Sequence, residues 1–199
     1  MKKYFFFCMV LSALFLQACH NGNGNVHTAD PTDPPDSGIT AADTGFAAMA
    51  VQSAMMEVTL GNIAQQRAGD ARVKAFGAMM VKDHSQANDM LKGIADRKDI
   101  VLADSLDQDH HSDMDSLSGR SNADFDDAYI NRMVQAHEAD IRAFEKGAEQ
   151  ITDPDIKGFI QTQLPVLKMH LDSARAIQRD LEQQHDASLR SRREPFASH

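Results

Sequence analysis

Glu57, His84, His137 and His170 each interrupt an apolar stripe near the middle of a long helical pattern, where leucine or isoleucine would be expected. Three imidazoles and one carboxylate form a ligand set for a single transition metal ion, with zinc, copper and iron all suited to it. The same residues have a purely structural use, because a buried histidine that donates to a carboxylate or backbone carbonyl fixes the register of neighbouring helices. Met80 and Met133 each stand four residues before a histidine, and Met169 adjoins His170. Thioether sulfur beside imidazole would favour copper, although methionine also fills irregular cores. Asp83, Glu138 and Asp140 are near enough in sequence to orient the imidazoles, with Asp83 and Glu138 expected to face outward.

Four helices must position these groups. The first is expected from about Thr44 to Arg67, capped by Asp43 or Thr44, with Phe46, Met49, Ser53, Met56, Leu60 and Ile63 at helical spacing. The second follows a tight turn at Gly69-Asp70 and runs from Ala71 to about Lys98, so the two form an antiparallel hairpin. The third begins after Ser121 or Asn122 and ends near Gln150. The fourth opens on Asp153-Pro154, a cap followed by proline at the first helical position, and runs to about Gln184 with a kink expected at Pro165. At a rise of about 1.5 Å per residue, mid-helix positions come level whether neighbouring helices run parallel or antiparallel. Residues Asp99 to Arg120 read as a long polar loop, long enough to cross the bundle at about 3.3 Å per extended residue. Its acidic, histidine-bearing run Asp107–Asp115 reads as solvated, with loose cation binding its only chemistry.

The N-terminus has a different character. Lys2 and Lys3 precede an apolar run from Tyr4 to Leu16, too short to span a bilayer comfortably and suited to the core of a signal peptide over residues 1–18. The run ends in Leu16-Gln17-Ala18-Cys19, which resembles a bacterial lipobox. That resemblance implies lipidation of Cys19, anchorage to a membrane and a place in the cell envelope facing the periplasm or exterior; two or more acyl chains would make the anchoring stable. Residues 19–44, rich in Asn, Gly, Pro and Asp, read as a flexible tether, 45–184 as the helical domain and 185–199 as a disordered tail. The formal net charge of -9, with no face that concentrates Lys and Arg, excludes a nucleic-acid partner. The two cysteines both lie in the leader region, so no disulfide framework or cysteine metal site serves the helical domain.

The runs Met56-Glu57-Val-Thr-Leu-Gly-Asn-Ile-Ala, Val73-Lys-Ala-Phe-Gly-Ala-Met-Met-Val-Lys-Asp-His84, Phe125-Asp-Asp-Ala-Tyr-Ile, His137-Glu-Ala-Asp-Ile-Arg-Ala-Phe-Glu and Leu164-Pro-Val-Leu-Lys-Met-His170-Leu carry a resemblance. Together they are similar to a widespread family of exported bacterial proteins catalogued as a domain of unknown function. The resemblance covers roughly Gly45 to Leu181 and implies an all-α, ferritin-like four-helix bundle with no established activity. The chain departs from the di-iron ferritin pattern, which needs Glu-x-x-His on two helices, because Val81 and Leu167 stand where the glutamates would be. Three functions stay open at this point. One is a non-catalytic envelope protein, with a binding or stress-related role, an unidentified envelope partner and a central polar layer able to hold one metal ion. Another is a mononuclear metalloprotein or redox enzyme built on Glu57, His84, His137 and His170. The third is a plain scaffold whose acidic surface meets envelope proteins.

Overall fold

A computed structural model describes residues 38–193. Cys19, the expected signal peptide and most of the expected tether lie outside the described residues, as does the end of the chain. Among the described residues there are five helices: α1 (Ala41–Arg67), α2 (Ala71–Arg97), α3 (Gln108–Ser118), α4 (Asn122–Gln150) and α5 (Pro154–Arg193). There is no strand among the described residues.

Three boundaries differ from the expectation. Helix α1 starts before Thr44 because Thr40, not Asp43, caps it: the Asp43 amide donates to the Thr40 hydroxyl (3.2 Å), and the Thr40 amide donates back to the Asp43 carboxylate (2.8 Å). Part of the polar connection is helical, since Asp107 accepts from the His110 amide and caps α3, while Leu117 is buried beneath it. Helix α5 outlasts its apolar stripe and continues through Pro165 to Arg193. Residues 185–192 are exposed, so helix-forming residues without a breaker, rather than burial, prolong it there.

Each of the four long helices packs antiparallel to its neighbours in the ring, in the order α1, α2, α5, α4. The ends fix these directions. Asp43 at the start of α1 accepts from the amides of Thr152 and Asp153 between α4 and α5, both at 3.1 Å. The amides of Gly69 and Asp70, after α1, donate to Asp126 near the start of α4. Lys98 after α2 pairs with Asp153 at 2.6 Å, and Arg72 near the start of α2 pairs with Asp180 on α5. Helices α2 and α4 therefore run parallel across the diagonal, and residues 98–121 must travel the length of the bundle. The connection does so along α1: Gln52 donates to the Ser105 carbonyl at one end, and Arg67 donates to the carbonyls of Ser118 and Arg120 at the other. This is a ferritin-like bundle with one long crossover.

The apolar interior comes in two blocks. One includes Phe46, Leu91, Ile94, Phe144, Phe159 and Leu167. The other includes Leu60, Phe76, Met80, Phe125, Tyr129 and Met133. Glu57, His84, His137 and His170 occupy the level between them on α1, α2, α4 and α5.

Close approach of α1 and α2 depends on two glycines. A Cβ built on Gly61 would stand 2.7 Å from the Gly77 carbonyl oxygen, and one on Gly77 would stand 2.8 Å from that of Gly61. Both obstacles are backbone, so the helices themselves must separate. Gly61→Ala is expected to lower stability by about 1–3 kcal/mol, the usual cost of overpacking, despite alanine's better helix propensity. Chemical denaturation would check this, and an unchanged midpoint would show that the hairpin yields freely.

Candidate metal centre

Four helices each deliver one side chain to the middle layer. His84 follows Met80 on the buried stripe of α2, and His137 follows Met133 on that of α4. Residue exposure is 1% for Glu57, 5% for His84 and 0% for both His137 and His170. Ring centroids lie 5.5 Å apart for His84 and His137, 5.2 Å for His84 and His170, and 5.3 Å for His137 and His170. The imidazoles thus form a nearly equilateral triangle, and each offers a nitrogen within 4.8 Å of those from the other two.

The outward partners set the tautomers. His137 Nδ1 lies 2.9 Å from the Met133 carbonyl oxygen, and His170 Nε2 lies 3.0 Å from Asp83 Oδ2. A carbonyl or carboxylate only accepts, so each of these nitrogens carries the proton and donates. The remaining nitrogens, His137 Nε2 and His170 Nδ1, are then both lone-pair bearers, and they face one another at 3.4 Å. Two acceptors set that close repel unless something positive stands between them. Two imidazole nitrogens bound tetrahedrally at about 2.0–2.1 Å from one ion would stand about 3.3 Å apart. The observed separation fits that geometry.

Glu57 stands beside the triangle. Its Oε2 is 2.9 Å from His84 Nδ1, and its Oε1 is 3.3 Å from His137 Nδ1. Neither contact is aligned as a hydrogen bond, and both carboxylate oxygens and His84 Nε2 are buried without a hydrogen-bond partner. Orphaned buried polar atoms are costly. A cation among the three rings would engage His84 Nε2 and give the Glu57 carboxylate a charge to balance. The residues present therefore fit a metal ion.

Burial sets the electrostatics. It pushes the Glu57 carboxyl up, against the pull of His137 and Arg132. It pushes His84 down to about 4, outweighing Asp140 and Asp83, and it also depresses His137 and His170. All three imidazoles are thereby kept neutral, the form that ligates metals. Asp140, buried and hydrogen-bonded by the Ser53 hydroxyl at 2.8 Å, is pushed up to about 7, first by burial and then by the neighbouring Glu57 charge.

Asp83 is the main departure from the sequence reading. Its side chain was expected to face outward, but it turns into the seam between α2 and α5 and holds His170. Glu138 does face outward and pairs with Arg175. Asp140 lies three residues after His137, and Ser53 four before Glu57, so helical spacing already placed this pair beside the layer. Met80 and Met133 are fully buried, whereas Met169 is 46% exposed and takes no part in the centre. His110 bonds Asp107 at the start of α3, away from the four central residues. The larger cavities do not reach them either: one of about 460 Å³ between α1, α2 and the crossover has Asn88 in its wall and none of the four.

Residues 28–177 match the family model described as "Domain of unknown function (DUF4142)". The chain belongs to the DUF4142 family. That match covers α1, α2 and α4 whole, α5 as far as residue 177, and every residue of the central layer, while leaving activity open. No curated protein matches the chain. The crystal structure of a DUF305 fragment from Deinococcus radiodurans is similar, with a TM-score of 0.63 and 9% sequence identity, covering 70% of this chain and 96% of that one. At such low identity the likeness speaks for the helical fold alone.

Proposed function

We propose that this DUF4142 protein is a lipid-anchored bacterial envelope protein whose bundle binds one transition metal ion through His84, His137 and His170. The observation that carries this reading is the pair of lone-pair nitrogens held face to face at 3.4 Å by tautomers fixed from outside. Glu57 and Asp83 act as the outer carboxylates that orient metal-bound imidazoles and offset the ion's charge. Imidazole ligation suits zinc, copper and iron. With Met169 on the surface, selection of copper by thioether loses part of its basis. The role is binding rather than catalysis, in keeping with a stress-related task at the envelope.

Elemental analysis of protein purified without an affinity tag tests the metal reading. One ion per chain, absent from His84→Ala, is the expected result; equal metal content in both proteins would sink it. Anchorage is tested separately. Cys19→Ser is expected to move the protein from the membrane fraction to the soluble fraction, and unchanged fractionation would remove the lipoprotein reading while leaving the metal centre intact.

A further inference from the structure

A cavity of about 20 Å³ lies against His84 and His170 in the seam between α2 and α5. Ala87, Leu167 and the rings of Phe144 and Phe159 are among its walls, and the partly exposed Asp83 and Gln163 also line it. That volume is about what one enclosed water molecule needs. Among the described residues, the group able to hold an ion contains the three histidines and no fourth protein ligand. Glu57 lies against the Nδ1 atoms of His84 and His137, and Asp83 is engaged by His170 Nε2.

Resting on the metal reading above, we infer that the bound ion keeps its fourth position open to a ligand of one or two heavy atoms, water first among them, which reaches it through the α2–α5 seam. Closed structural sites fill all four positions with protein ligands, whereas a site with three protein ligands leaves one position for water or another small ligand. The carbon-lined walls set an upper size. Imidazole, with five heavy atoms, is too large for a space that holds one water.

The test uses the full chain loaded with copper(II), which binds nitrogen sites most strongly among the divalent first-row ions. Electron paramagnetic resonance in water enriched in oxygen-17 is expected to show line broadening from a coordinated oxygen. Ala87→Leu, whose added carbons fill the cavity, is expected to abolish the broadening with copper still at one per chain. Leu167→Ala, which widens the cavity, is expected to admit imidazole and change the spectrum at a concentration that leaves the unmodified protein unchanged. Stoichiometric copper without broadening would overturn the open position and leave the metal centre standing. Failure to bind copper at all would overturn both. If Ala87→Leu does not fold, the Leu167→Ala arm decides the route: an imidazole response no greater than that of the unmodified protein would exclude entry through the seam.

Discussion

Saturating the metal-free bundle with zinc(II) or copper(II) is expected to raise its melting temperature by about 8–16 °C, and His137→Ala is expected to abolish the rise. The magnitude follows from linkage, because an ion present at about a thousand times its dissociation constant stabilises the folded state by about 4 kcal/mol. For a chain of this size, each kcal/mol moves the transition by about 2–4 °C. His137 is the decisive position because it is fully enclosed and its Nδ1 is committed to Met133, leaving Nε2 with no role except toward His170. Removing the ring also leaves a hole, so the metal-free variant melts lower. The quantity to compare is therefore the shift on adding metal, not the absolute temperature. Asp83→Ala is expected to keep a smaller shift, since loss of an outer carboxylate costs about 10–100-fold in affinity. Calorimetry showing the same transition with and without each ion would end the metal reading.

The second large effect is expected far from the centre. Asp43→Ala is predicted to cost several kcal/mol, because one enclosed carboxylate serves two turns far apart in the chain. It completes the capping box with Thr40 and accepts from the Thr152 and Asp153 amides. Loss of a cap costs about 0.5–2 kcal/mol, and the buried Asp153 amide left without an acceptor costs about 1–3 kcal/mol more. The pH dependence has a definite sign. Burial would raise this carboxyl, but the Thr40 bonds and the two amides outweigh it and hold it well below the usual carboxylate range. A group depressed on folding gives stability that is complete above its unfolded pKa, about 3.9, and is lost as pH falls further. The gap between the parent protein and Asp43→Ala should thus be widest at neutral pH and narrow below about pH 4. Urea titrations at several pH values would check this, and a gap that widens in acid would refute it.

Residue patterns gave direct access to the four long helices, and the reason is local. Asp70 caps α2, Asp153 accepts from the amides of Asp155 and Ile156 at the start of α5, and the apolar stripes close around the interior seen here. The convergence of Glu57, His84, His137 and His170 was legible for the same reason, since mid-height on each helix is a property of each helix alone. What remained hidden depends on partners. Asp83 neighbours His84 and points away from that residue's stripe; only the position of α5 turns its surroundings into a seam. Helix α3 has few apolar residues, and its hold on α1 comes from Gln52 and Arg67, whose targets are backbone carbonyls that no side-chain pattern reveals.

The crossover has one further consequence. Glu57 and His84 belong to the hairpin before it, and His137 and His170 to the hairpin after it, so neither half of the chain owns a complete centre. The ion would act as a clasp between two halves. A protease cut in the crossover would yield two pieces that compete poorly for metal when apart and recover it on reassembly, making metal uptake a direct reporter of the two hairpins coming together.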